Sequence, residues 1–195
     1  MIKNVILDMG GVLLDFEPQI TLDTFCKTEE QKQLIRKALF QSHFWEDADR
    51  GMIPDAALFD LVKQTVAPEH HDALQQCCAH WDICMHPIAG AREFCREIKA
   101  AGLGIYVLSN ASDRFYAYFD KFLPLRFFDG AIVSSDIKMM KPDPEIFQYA
   151  MDRYGLRKEE CLFVDDSMKN VEGAKSFGIH AHQFCGDFGE IRKYL

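Results

Sequence analysis

The amino-acid sequence predicts an α/β fold: a doubly wound parallel sheet with a small all-helical insertion after the first strand. From Pro87 onward, short apolar runs rich in β-branched residues alternate with helical stretches of ten or so residues. This alternation is typical of a parallel sheet with helices on both faces. In residues 17–85 the apolar spacing is helical and no strand pattern occurs. We therefore expect an α/β core of residues 1–16 and 86–195, with residues 17–85 as a separate helical unit.

The first strand is the apolar run of residues 5–7, which ends on the carboxylate of Asp8. Such a run is typical of a buried strand in a parallel sheet. The glycines Gly10 and Gly11 then permit a turn that β-branched residues could not make. Asp8 is therefore expected at the carboxyl edge of the sheet, where ligands bind in open α/β folds.

The remaining elements follow from apolar spacing and from the positions of proline and glycine. In the insertion, helical stretches are predicted over 18–51, 56–66 and 69–85. Beyond it, strands are predicted over 104–108, 131–133, 162–164 and 179–184. Helices are predicted over 90–101, around 115–119, over 145–154, and from just after Asp166 to about residue 177.

Polar groups follow the predicted strands at their carboxyl ends. They are Asp8, then Ser109 and Asn110, then Lys141, and finally Asp165 and Asp166 with Asn170. Each has a plain structural interpretation: Ser-Asn can cap a helix, a lysine before proline can be solvated, and an aspartate pair can begin a helix. Because parallel strands end at one edge of a sheet, the groups are also expected to lie close together.

Together these groups suit phosphoryl transfer. An aspartate such as Asp8 can attack phosphorus and form an aspartyl-phosphate, provided that cations offset the repulsion between carboxylate and phosphate. Asp8 and Asp166 offer the hard oxygen ligands that Mg²⁺ prefers, with the carbonyl of Gly10 as a further ligand. Lys141 would place a positive charge on the transferring group.

The ordered set resembles the motifs of the haloacid dehalogenase-like hydrolase superfamily, over nearly the whole chain. Asp8-Met9-Gly10-Gly11-Val12 resembles its nucleophile motif, Leu108-Ser109-Asn110 its phosphate-binding motif, residues 141–147 its lysine motif, and residues 163–167 with Asn170 its metal motif. The resemblance implies a small helical cap at residues 17–85, Asp8 and Lys141 as catalytic residues, Ser109, Asn110 and Lys141 as substrate-binding residues, and Asp8, Gly10, Asp165 and Asp166 as Mg²⁺ ligands.

One departure from the family pattern is at Gly10. Most phosphatases of the superfamily have a second aspartate there, whose side chain protonates the leaving group and later activates water. Such acid–base help contributes about 10²–10⁴-fold, so its loss predicts a rate that falls as the leaving-group pKa rises, unless Asp15, Glu46 or Asp47 supplies the proton. The Asp-x-Gly form resembles a subgroup that includes sugar-phosphate phosphatases acting on glucose 1-phosphate, whose anomeric oxygen leaves easily.

Three functions remain open on the sequence. The favoured one is an Mg²⁺-dependent phosphatase of a small phosphorylated metabolite, such as a sugar phosphate. A 2-haloacid dehalogenase on the same scaffold would release halide, which needs no proton, but would leave the Asp165-Asp166 pair without a purpose. A catalytically weak, phosphate-binding regulatory protein is the third.

The amino-acid composition indicates which classes of binding partner to expect. The 195 residues carry a formal net charge of −8, which argues against nucleic acid or an anionic membrane as the main partner. The seven cysteines are odd in number and form no disulfide framework, as is typical of reduced thiols in a cytoplasmic protein. We expect no membrane association and a monomer or weak homodimer.

Overall fold

The computed structural model describes residues 1–194. The strands are β1 (Asn4–Leu7), β2 (Leu14–Phe16), β3 (Met85–Pro87), β4 (Gly104–Ser109), β5 (Gly130–Val133), β6 (Cys161–Asp165) and β7 (His180–Gln183). The α-helices are α1 (Pro18–Phe25), α2 (Glu29–Ile35), α3 (His43–Asp49), α4 (Leu58–Val62), α5 (His71–His80), α6 (Ala91–Ala100), α7 (Phe115–Phe122), α8 (Ser134–Ile137), α9 (Pro144–Tyr154), α10 (Met168–Phe177) and α11 (Phe188–Arg192).

The central feature is a five-stranded parallel sheet in the order β5-β4-β1-β6-β7. β1 lies in the middle, with Val5 opposite Ile105 of β4 on one side and opposite Leu162 of β6 on the other. The sheet separates two hydrophobic layers, since Val5 and Leu7 face one cluster with α6, α7 and α11, whereas Ile6 faces another with α9 and α10. The doubly wound sheet predicted from the sequence is confirmed.

The helices between β2 and β3 have a hydrophobic core of their own. Its buried residues include Leu22, Ile35, Leu39, Leu58, Val62, Leu74 and Cys77. A helical cap inserted after the first strand is thus present, as predicted. The division at residues 17 and 85 stays a prediction, because Trp81, Cys84 and Met85 are buried in the same cluster as β1.

Two details of the insertion differ from the sequence prediction. The expected continuous stretch over 18–51 is interrupted after α1, where Cys26 is extended and the Thr28 side chain accepts a hydrogen bond from the N–H of Gln31 to begin α2. The predicted helix over 69–85 ends before Met85, which pairs with Phe16 in an antiparallel ladder of β2 and β3. Three-residue strands far apart in the chain give too little alternation to be recognised beforehand.

No helix within residues 1–194 combines the length and the apolar character needed to cross a lipid bilayer.

Candidate active site

Lys141 is the group that ties the strand-end residues together. Its Nζ lies 2.7 Å from Asp8 Oδ1, just after β1, and 2.7 Å from Asp165 Oδ2, at the end of β6. The lysine comes from the segment between α8 and α9, and its side chain is only 1% exposed. The structure therefore brings three of the predicted site residues into direct contact.

The two oxygens of Asp8 have different surroundings. Oδ1 accepts a 2.6 Å hydrogen bond from the N–H of Met9 as well as the contact from Lys141. Among the described residues, no hydrogen bond or ion pair is made to Oδ2. Oδ2 therefore has lone pairs available for an incoming electrophile, while Oδ1 fixes the orientation of the carboxylate.

The site contains more negative than positive charge. Asp8, Asp165 and Asp166 each place a carboxylate oxygen within 4.8 Å of the others. Burial raises the pKa of Asp8 to about 8; the Lys141 ammonium opposes this shift, and the charges of Asp165 and Asp166 add to it. Burial disfavours the charge on Lys141 itself, but Asp8 and Asp165 outweigh it and raise its pKa. Three carboxylates facing one ammonium form a set of hard oxygen donors that fits a divalent cation.

Asp165 and Asp166 differ in how much of their carboxylate is free. Asp165 is fully buried, and its Oδ1 accepts hydrogen bonds from the N–H of Ser167 at 2.9 Å and from Asn170 Nδ2 at 3.0 Å. With Lys141 bound to its other oxygen, Asp165 orients its neighbours. Asp166 is exposed to solvent, so it is the better placed of the two to bind a cation. A ligand role for Asp165 stays a prediction.

Ser109 and Asn110, at the end of β4, also play different parts. The Ser109 hydroxyl is buried and has no hydrogen-bond partner among the described residues, which is unusual for a buried polar group. The Asn110 amide instead holds the backbone of Lys141, since Nδ2 donates to its carbonyl at 3.0 Å and Oδ1 accepts from its N–H at 2.9 Å. Phosphate binding by either residue stays a prediction, and Ser109 has the freer donor.

A cavity of about 130 Å³ lies where the cap meets this edge of the sheet. It is lined by Gly10, Phe16, Trp45, Asp49, Trp81, Met85, Asn110, Ala111, Ser112 and Tyr118. The rings of Phe16, Trp45, Trp81 and Tyr118, here called the aromatic wall, form a chain of ring contacts with centroids 5.1–5.6 Å apart. A pocket with aromatic surface and a few polar groups can hold the organic part of a small ligand.

Comparison of the chain with known protein families agrees with this arrangement of residues. The family model for haloacid dehalogenase-like hydrolases matches residues 2–178. The chain belongs to this hydrolase family. The hydrolase is 29% identical over 181 residues to a sesquiterpene phosphatase of Aspergillus oryzae, covering 91% of this chain and 87% of that one. It is 35% identical over 190 residues to (S)-2-haloacid dehalogenase 4A of Burkholderia cepacia, covering 92% and 81%.

The hydrolase also shares its fold with solved structures of the family. One is a family enzyme of Bacteroides thetaiotaomicron in complex with magnesium and inorganic phosphate, with a TM-score of 0.79 and 22% identity. The match covers 98% of this chain and 99% of that one. At this identity the likeness shows the fold, and it extends over the cap as well as the core.

The turn after Asp8 gives a first prediction for the hydrolase. Gly11 has φ +71°, and a Cβ there would lie 2.9 Å from Asp166 Cβ and closer still to its carboxyl carbon. Gly11→Ala should therefore lower the free energy of unfolding by about 1–2 kcal/mol and displace the Asp166 carboxylate. Gly10→Ala is the matched control, because Gly10 lacks a positive φ and a Cβ there meets nothing within 4 Å. Denaturant unfolding of both variants checks this, and equal stability would contradict it.

Proposed function

We propose that this hydrolase is an Mg²⁺-dependent phosphatase of a small phosphorylated metabolite and acts through an aspartyl-phosphate on Asp8. The observation that carries the proposal is the cluster of Asp8, Asp165 and Asp166 around a single ammonium, that of Lys141. Without a further cation, the negative charge of this acidic cluster would repel a phosphate dianion. The similarity to a phosphatase over 91% of the chain supports the same function.

The cation would be held by the carboxylates of Asp8 and Asp166 and by the carbonyl of Gly10. When bound, Mg²⁺ supplies positive charge that offsets the repulsion between substrate and carboxylates. Asp8 forms a bond from Oδ2 to phosphorus as the bond from phosphorus to the leaving oxygen breaks, while Lys141 and the N–H of Met9 hold Oδ1. The Lys141 charge stabilises the negative charge spread over the phosphoryl oxygens, and the free hydroxyl of Ser109 donates a hydrogen bond to one of them.

Within this class we favour a sugar phosphate, of which glucose 1-phosphate is the preferred example. The aromatic wall provides apolar surface for the face of a sugar ring, and Ser112 provides a polar group for one of its hydroxyls. The Asp-x-Gly sequence at Asp8 and Gly10 supports this choice, because it resembles the form found in sugar-phosphate phosphatases acting on glucose 1-phosphate.

A 2-haloacid dehalogenase is the second candidate, because the chain is 35% identical to such an enzyme over 190 residues. Asp165 does not separate the two functions, since it holds Lys141 and Asn170 whether or not a metal binds. The distinction therefore depends on Asp166. An exposed carboxylate beside Asp8 fits a cation-dependent phosphatase and has no use in releasing halide.

The deciding experiment compares 4-nitrophenyl phosphate with 2-chloropropionate, each with Mg²⁺ or with EDTA. We expect phosphate release that EDTA abolishes and that added Mg²⁺ restores. Chloride release in EDTA would favour the dehalogenase. Tight binding of inorganic phosphate without turnover of either compound would favour a regulatory protein. A panel of phosphorylated metabolites would then identify the substrate.

Asp166→Ala should weaken Mg²⁺ activation strongly, because it removes a free carboxylate ligand without removing the ion pairs of Lys141. The measurement is the Mg²⁺ concentration that gives half-maximal rate with 4-nitrophenyl phosphate. Glu172→Ala, which removes a carboxylate from the following helix α10, is the control and should leave this concentration unchanged. An unaltered Mg²⁺ titration in the Asp166 variant would refute its assignment as a ligand.

A further inference from the structure

Asp49 is a carboxylate of the cap that lines the cavity beside the nucleophile turn. It is the last residue of α3. Trp45, four residues earlier and hence on the same helix face, lines the cavity too. Of the acids considered from the sequence, neither Glu46 nor Asp47 lines this cavity, and the Glu46 side chain is 64% exposed and pairs with Arg50.

The core fixes the position of Asp49. Its carbonyl accepts a hydrogen bond from the hydroxyl of Ser134, and that same hydroxyl accepts one from the N–H of Ala111 at 2.9 Å. Two residues later, Gly51 approaches the backbone so closely that a Cβ there would lie 2.8 Å from Ser135 Cα. The end of α3 is thus anchored to the segments that follow β4 and β5.

Gly10, in the turn after Asp8, lines the same cavity. A Cβ built on Gly10 meets no atom within 4 Å, so the space that a side chain at this position would occupy is open. The cavity is therefore lined both by Gly10, where the core has no acidic side chain, and by Asp49, where the cap has one.

We propose that Asp49 is the general acid and base of the reaction. This rests on the proposed phosphatase function. As Asp8 bonds to phosphorus and the bond from phosphorus to the leaving oxygen breaks, the Asp49 carboxyl gives its proton to that oxygen, and the alcohol departs. Water then attacks the aspartyl-phosphate and gives a proton to the Asp49 carboxylate. The bond from phosphorus to Asp8 breaks, which releases phosphate and restores both residues.

The surroundings of Asp49 favour the protonated form that such an acid needs. Burial raises the pKa of Asp49 to about 8, and the nearby charges of Asp55 and Glu46 add to the effect. Hydrogen bonding from the backbone N–H of Ser112 opposes it. At neutral pH the carboxyl therefore holds a proton that it can donate, and a pKa near the working pH suits acid–base catalysis.

The test is the dependence of kcat/KM on leaving-group pKa, measured in Mg²⁺ with a series from 4-nitrophenyl phosphate to a primary alkyl phosphate. This ratio reports the first chemical step, in which the leaving oxygen is protonated. The wild type should show a shallow dependence. Asp49→Asn should cut kcat/KM about 10²–10⁴-fold for the alkyl ester and far less for the aryl ester, so that the dependence becomes steep.

Asp47→Asn is the matched control: it makes the same chemical change two residues earlier, outside the cavity lining, and should retain the wild-type profile. A second variant, Asp49→Asn combined with Gly10→Asp, should regain a shallow profile, because the new carboxyl enters the open space beside residue 10. A steep wild-type profile would overturn the proposal without any variant. So would an equal loss for all esters in Asp49→Asn, which would mark Asp49 as a binding contact. Failure of the phosphatase function would be seen separately, as no metal-dependent release from 4-nitrophenyl phosphate.

Discussion

Replacing Asp8 with asparagine should abolish turnover and leave the protein folded. An amide is a far weaker nucleophile and metal ligand than a carboxylate, and removal of a nucleophile from other hydrolases costs a factor on the order of 10⁴ or more in kcat. The fold should persist because Lys141 keeps its ion pair with Asp165. The amide oxygen can still accept the hydrogen bond from the N–H of Met9.

Single-turnover and steady-state rates with 4-nitrophenyl phosphate measure this effect. Asp47→Asn makes the same chemical change in the cap, away from the cavity, and should keep the wild-type rate. Activity of purified Asp8→Asn near that of the control would remove Asp8 from the mechanism.

The same substitution should change the pH dependence of stability in EDTA. Asp8 has a pKa of about 8 in the folded protein, chiefly through burial, against about 3.9 when unfolded. The unfolded state thus loses this proton first, so the wild-type free energy of unfolding should fall as pH rises from about 4 to about 8. Asp8→Asn lacks this contribution and should show a smaller fall. Denaturant unfolding across this range is the measurement, and parallel curves would contradict the assignment.

Replacing Lys141 with alanine should lower both activity and stability. Its charge is most useful in the transition state, and loss of one such group costs about 10²–10³-fold in kcat. Because the ammonium is buried between Asp8 and Asp165, its removal also leaves unpaired carboxylates. Breaking a buried pair in this way costs about 3–5 kcal/mol.

Lys138→Ala, which removes an exposed lysine three residues earlier, is the control for both measurements. Kinetics at saturating Mg²⁺ and unfolding in EDTA separate the two effects. If KM rose in the Lys141 variant and kcat did not change, Lys141 would stabilise the bound substrate and the transition state equally. If stability were unchanged, the ion pairs would contribute nothing net.

The polar groups at the strand ends could be predicted because the physics behind them is local. An apolar run that stops at Asp8, followed by glycines, specifies a strand end, and parallel strands must end at one edge. The sequence could not show how the groups divide their tasks. In the sequence, Asp165 and Asp166 are adjacent residues of the same type. In the structure, Asp165 is the one that accepts hydrogen bonds from the N–H of Ser167 and from Asn170 Nδ2.

The role proposed for Asp49 could not be predicted from the sequence, for a related reason. The helix that contains it has three acidic residues, Glu46, Asp47 and Asp49, and the sequence does not say which faces the core. One signal was present, since Asp49 lies four residues after Trp45 and such pairs share a helix face. That face could be recognised as the cavity side only when the folded cap brought Trp45 against Trp81.

The central position of β1 has a consequence for how the protein is made. β1, next to Asp8, is synthesised well before its two neighbours β4 and β6, which begin at Gly104 and Cys161. Until both have been synthesised, an apolar strand has unpaired backbone along its length, which is a template for aggregation. Pairing over such sequence separations also slows folding. A nascent chain thus carries Asp8 long before Asp165 and Asp166, the other two carboxylates of the cluster, have been synthesised.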